Sequence, residues 1–150
     1  MALSTADSMN PIFSLGVNQQ PQTIKQPLVL AVDDDDDNLL LLSYALETFG
    51  CKFISRSDSQ TALDVARTYQ PDLILLDILM PHVDGMEVVQ HLKQDLSTCN
   101  IPVIAVTALA RAEDRQTILQ AGFTDYLSKP YMLEDLEALI QRHTGVCPTS

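Results

Sequence analysis

The chain has 150 residues, 46% of them hydrophobic, and carries 20 acidic against 9 basic side chains for a net charge of -11. That much apolar material builds one core of ordinary size and leaves no room for a second full domain. The acidic excess repels nucleic-acid phosphates and anionic lipid surfaces, so neither is expected as a partner; a protein with a basic or neutral face is.

Residues 1–26 are rich in Ser, Thr, Asn, Gln and Pro, and Pro11, Pro21 and Pro27 interrupt any regular pattern, which predicts an unstructured leader. It has no basic start, and Ser14 and Gly16 break up the apolar Ile12, Phe13, Leu15 and Val17, unlike an export signal. A folded domain is expected over residues 27–144 and a short tail over 145–150. From Leu28 onward five apolar runs alternate with five segments of helical periodicity, the pattern of an α/β fold whose parallel sheet is covered on both faces.

The first run, residues 28–32, is apolar throughout, as a strand buried on both faces should be. Five aspartates, Asp33 to Asp37, follow it. From Asn38 the stripe Leu39, Leu42, Leu46 and Phe49 predicts a helix that stops at Gly50. A short strand over 52–55 leads to a helix capped by Asp58 or Ser59, with Ala62, Val65, Ala66 and Tyr69 on its buried face and Pro71 at its close. The third strand, Leu73, Ile74, Leu75 and Leu76, ends at Asp77. A loop with Pro81 and Gly85 precedes a helix carrying Met86, Val89 and Leu92 on one face. The fourth strand, 102–106, ends at Thr107, and a helix over 114–121 stops at Gly122. The fifth strand, 125–128, ends at Lys129-Pro130, and Leu133, Leu136 and Ile140 stripe the last helix.

No apolar run approaches the roughly 20 residues of a membrane span. Cys51, Cys99 and Cys147 are odd in number and lack metal or redox spacing, which suits reduced thiols in a cytoplasmic protein. His82, His91 and His143 show no metal-ligand spacing and are expected on the surface.

Four strands end in a polar residue, and in an open parallel sheet the carboxyl ends share one edge, where ligands bind at the point at which the strand order reverses. Asp33, Asp34 and Asp77 then converge with Thr107 and Lys129. Three close carboxylates repel one another unless a cation intervenes, and a hard divalent ion such as magnesium takes oxygen ligands from one or two carboxylates plus a phosphoryl group. In phosphoryl transfer a protein chiefly positions groups and neutralises peripheral oxygens, so one carboxylate can be the nucleophile while lysine, hydroxyl and metal hold the rest.

Residues 28 to about 143 resemble the receiver domains of two-component response regulators. The resemblance rests on Val32-Asp33-Asp34 with Asn38; on Asp72 through Pro81 followed by Asp84-Gly85; on Pro102 through Ala108; and on Ala121 through Pro130. It implies a doubly wound, flavodoxin-like (βα)5 fold with strand order 2-1-3-4-5. It also implies that Asp77 accepts a phosphoryl group from the phosphohistidine of a sensor or hybrid kinase or a phosphotransfer protein. Asp34, Asp77 and the Leu79 carbonyl would hold Mg2+ directly, Mn2+ being an alternative, and Asp33 would act through water. Lys129 would pair with Asp77 or its phosphoryl group. Thr107 would close on that group, and Tyr126 would swing inward behind it, reshaping the face of the fourth helix, fifth strand and fifth helix for a downstream protein. The resemblance further implies a cis Lys129-Pro130 bond. Leu79 and Leu109 would flank the phosphoryl group and slow its hydrolysis. Self-association is left open.

Each residue alone has a plainer reading. Asp36 and Asp37 fit a solvated helix cap, Thr107 a helix neighbour, and Tyr126 a strand residue packing on a helix. A shift in register would make Asp35 a ligand in place of its neighbours. Three rivals also remain at this level. An aspartate-dependent phosphatase would need an acid two residues after its nucleophile, where this chain has Leu79. A nucleotide or flavin carrier would need a phosphate loop where this chain has aspartates. A degenerate scaffold receiver would not need the intact Asp77, Thr107 and Lys129.

Overall fold

The computed structural model of the chain describes residues 26–80, 83–108 and 111–145. The expectations for the leader before Gln26, for the tail after Gly145, and for Pro81, His82, Leu109 and Cys147 lie outside the described residues.

Five strands and five helices alternate: β1 (Leu28–Val32), α1 (Asp36–Thr48), β2 (Lys52–Arg56), α2 (Ser59–Tyr69), β3 (Leu73–Asp77), α3 (Gly85–Gln94), β4 (Val103–Thr107), α4 (Ala112–Ala121), β5 (Asp125–Ser128) and α5 (Leu133–Thr144). The sheet is parallel throughout, in the order β2-β1-β3-β4-β5. This is the predicted doubly wound, flavodoxin-like order. β1 therefore lies between β2 and β3, where the direction of winding reverses.

Alternation along the strands divides the core in two. Val29 and Ala31 of β1 pack with α1 and α5 through Leu42, Leu46, Leu136 and Ile140. Leu30 and Val32, one residue out of phase, pack with α2, α3 and α4 through Ala66, Leu92 and Ile118. β3 and β4 are buried along their whole length, whereas β2 at one edge is half-buried. This is why the central strands read as unbroken apolar runs.

Several boundaries differ from the sequence reading. α1 begins at Asp36 rather than Asn38, because the Asp35 side chain caps it by accepting from the amides of Asp37 and Asn38. α4 begins at Ala112 rather than Asp114. α2 ends on Gln70, held in the left-handed region at φ 50; its side-chain amide satisfies the carbonyls of Ala66, Arg67 and Ser97. Tyr69 and Leu133 were expected to be buried but are 56% and 55% exposed, since each occupies the last or first position of its helix, beyond the sheet it packs on. A two-residue antiparallel ladder, Leu79–Met80 against Val83–Asp84, was not anticipated. Cys51 and Cys99 are free thiols, and burial raises the pKa of Cys51. Among the described residues, no helix is long and apolar enough to cross a membrane.

Candidate functional site

β1, β3, β4 and β5 deliver their carboxyl ends to one rim. β1 continues into Asp33, β3 ends in Asp77, β4 ends in Thr107, and β5 is followed by Lys129. The register makes the meeting unavoidable: Val32 is paired with Leu76, and Thr107 with Ser128. Carboxylate oxygens of Asp33, Asp34 and Asp77 all lie within 4.8 Å of one another. Lys129 Nζ sits between two of these acids, 3.2 Å from Asp33 Oδ2 and 3.3 Å from Asp77 Oδ2. The Lys129 amide donates to the Thr107 carbonyl at 2.7 Å, and the following bond to Pro130 is cis, as expected.

The two buried acids differ in how they are held. Asp33 Oδ1 accepts from the Asp35 amide at 3.0 Å, and Oδ2 accepts from Asn38 Nδ2 at 3.4 Å as well as from Lys129. Asp77 Oδ1 accepts from the Leu79 amide at 3.0 Å. Burial, only partly offset by that amide and by Lys129, raises the Asp77 pKa above the ordinary carboxylate value, and Asp33 pushes in the same direction. Burial works against the charge on Lys129, yet Asp77 and Asp33 outweigh it and raise its pKa. Asp34 is exposed, at the open side of the group.

These residues fit a hard divalent cation. The donors are all oxygens, and an octahedral magnesium ion with bonds of about 2.1 Å spaces its ligands roughly 3 to 4 Å apart, so small rotations of the three acids close the observed spread. Asp34 and Asp77 have oxygen capacity to spare. Asp33, whose oxygens accept from three protein donors against two on Asp77, suits a ligand that acts through water. Asp35 caps α1 and is absent from the cluster.

Thr107 is fully buried, while Tyr126 is half-buried with its hydroxyl accepting from Arg115 at 3.0 Å. The two lie on adjacent strands, Thr107 paired with Ser128 and Tyr126 with Ala105. An open, mostly apolar groove of about 750 Å³ runs from Asp77 and Lys129 along α1, past Leu41, Tyr44, Tyr131 and Leu133.

The response regulator receiver domain family matches residues 29–141. This chain belongs to that family. The receiver domain is 40% identical over 117 residues to the polar-differentiation response regulator DivK of Brucella anthropi, a match covering 78% of this chain and 95% of DivK. It is 31% identical over 144 residues to the sensor histidine kinase GacS of Pseudomonas protegens, covering 94% of this chain but 16% of that kinase. Among solved structures, the receiver domain of sensor histidine kinase PA1611 from Pseudomonas aeruginosa superposes with a TM-score of 0.74 at 30% identity, over 81% of this chain and all of that one. That crystal structure carries a magnesium ion coordinated in its active site cleft.

Sequence reasoning about the receiver domain left three contributions unassigned. Asn38 was noted only as part of a motif, and it bonds Asp33. Gly85 was likewise only a motif member; a Cβ there would lie 2.7 Å from Ile78 Cα and 3.2 Å from the Asp77 carbonyl oxygen, so the bare backbone lets α3 approach the turn after Asp77. His143, expected on the surface and given no role, bonds Asp125 Oδ2 at 3.2 Å. Asn38 and the Asp84-Gly85 pair were local signals, whereas the His143 bond joins α5 to the start of β5.

Proposed function

We propose that Asp77 is the phosphoacceptor of this receiver domain and that its occupancy is the signal the domain transmits. The observation that carries the reading is the meeting of the Asp33, Asp34 and Asp77 oxygens within 4.8 Å, with Lys129 Nζ 3.3 Å from Asp77 Oδ2. A carboxylate oxygen of Asp77 attacks the phosphorus of a phosphohistidine; the new O–P bond forms as the P–N bond breaks, and the leaving imidazole takes up a proton. Lys129 follows the charge from the carboxylate to a phosphoryl oxygen, and the Leu79 amide keeps the other Asp77 oxygen in place. Asp34, Asp77 and the Leu79 carbonyl would hold magnesium, or manganese in its stead, with Asp33 acting through water. Bound there, the ion neutralises charge on the transferred group.

The donor is a sensor or hybrid histidine kinase or a histidine phosphotransfer protein, and the apolar groove beside the site offers it a docking surface. Leu79 is 52% exposed and provides no acid-base group, which supports a signalling protein with slow self-dephosphorylation over a turnover enzyme. Thr107 and Tyr126 act as the switch pair, and the α4, β5 and α5 face carries the output to a protein in the cytoplasm. The net charge of -11 disfavours nucleic acid and anionic membrane as targets.

The test is incubation with acetyl phosphate and magnesium, read by intact mass. Wild type should gain the mass of one phosphoryl group and Asp77→Asn none. An unmodified wild type, or an equally modified variant, overturns the assignment.

A further inference from the structure

Arg115 stands in the first turn of α4, its amide bonded to the Arg111 carbonyl at 3.1 Å. Its guanidinium reaches across to β5, where one Nη donates to the Tyr126 hydroxyl at 3.0 Å and Cζ lies 4.8 Å from the centre of the same ring. One side chain thus holds Tyr126 by both its polar tip and its face. The apolar seam of α4 on the sheet is narrow among the described residues: Ile118 is fully buried and Ala121 packs partly buried on the same cluster, whereas Leu119 is 43% exposed.

The strand register supplies the ring with a path. Tyr126 is paired with Ala105, and Thr107 with Ser128. Because side chains alternate along a strand, Ala105, Thr107 and Tyr126 share one face of the sheet. On that face the register sets Ala105, a small residue, beside Tyr126 on the way to Thr107. Ala105 is thus too small to hold the ring outward, and the rest of the ring packs on the buried cluster of that face. Arg115 supplies the restraint.

We propose that Arg115 is a latch that holds Tyr126 outward against α4 and biases the receiver domain toward its resting state. This rests on reading Thr107 and Tyr126 as the switch pair. Drawing the ring along β4 breaks the hydrogen bond and the cation–π contact together, since one guanidinium makes both. A contact of this type at a partly exposed site shifts an equilibrium about two- to fivefold. Where the active state is the minor one, the apparent affinity for anything that selects it falls by the same factor.

Fluorine NMR of the full chain labelled with fluorotyrosine tests this, with the Tyr126 resonance assigned by its loss in Tyr126→Phe and beryllofluoride plus magnesium as the phosphoryl mimic. In Arg115→Ala the titration midpoint should fall about two- to fivefold, and the resting Tyr126 resonance should already lie displaced toward its mimic-bound position. Arg115→Lys, which keeps a charge near the ring without the planar fork, should fall between. A midpoint at or above the wild-type value with the resonance unmoved overturns the latch and leaves the switch pair intact. A wild-type Tyr126 resonance that ignores saturating mimic overturns both.

Discussion

Burial of Asp77 beside Asp33 makes its ionised form costly in the metal-free domain, and the sign of that cost can be tested. A carboxyl group whose pKa is raised on folding binds its proton more tightly in the folded state, so stability falls as pH rises from the ordinary carboxylate value through the raised one. Without divalent cation, Asp77→Asn should therefore melt at a higher temperature than wild type at pH 7, and the gap should close as the pH is lowered through that range. Thermal melts in chelator at a series of pH values check this. A gap that widens toward acid would show that the lost Lys129 contact, not repulsion, dominates. Lys129 has the same sign of linkage in a higher range: its raised pKa stabilises the fold up to its ordinary titration range, and that stabilisation is lost as pH rises further.

Two contacts between elements govern how firmly the rim is held. α3 enters at Gly85 so close to Ile78 and the Asp77 carbonyl that an added methyl must displace backbone. Gly85→Ala should cost about 1–3 kcal/mol in denaturant melts and slow phosphorylation by acetyl phosphate, because the turn carrying the Leu79 amide shifts away from Asp77. Further from the site, Asp95 ties the turn after α3 to α2 by accepting from the Ser97 hydroxyl and amide and from Arg67 Nε. Those bonds, the Ser97 hydroxyl foremost, hold its carboxyl at about 2, below the ordinary 3.8. The stabilisation is present above the ordinary value and is lost as pH falls toward 2. Wild type should thus exceed Asp95→Asn in stability at neutral pH, and the two should converge between pH 3.8 and about 2. An Asn variant as stable as wild type at neutral pH would show the tie contributes nothing.

For the molecule as a whole, a cation that binds only the assembled rim stabilises the entire cooperative unit, since two separate chain segments, one carrying Asp33 and Asp34 and the other Asp77, must fold together to build it. Magnesium at one hundred times its dissociation constant should add about 2.7 kcal/mol to the unfolding free energy. Asp77→Asn, with one ligand weakened, should gain far less at the same concentration. Melts with and without magnesium measure both, and equal gains in the two proteins would remove Asp77 from the metal site.

The order of strands and helices was legible in the sequence because period-two and period-3.6 patterns are local, and the unbroken apolar runs of β1, β3 and β4 report burial on both faces. Asp33, Asp77 and Thr107 were legible as candidates for the same reason, since each follows or ends such a run, and Lys129 was legible as the polar residue after the fifth strand. What the chain could not disclose is which oxygen faces which donor. That Lys129 reaches both Asp33 and Asp77 depends on packing between elements distant in sequence. That Asp35 caps α1 rather than joining the rim, that Asn38 bonds Asp33, that Gly85 lies against Ile78 and that Arg115 covers Tyr126 all depend on how neighbouring segments turn toward one another. Local pattern determines which residues reach the rim; only the register and spacing of the packed helices decide what each one touches there.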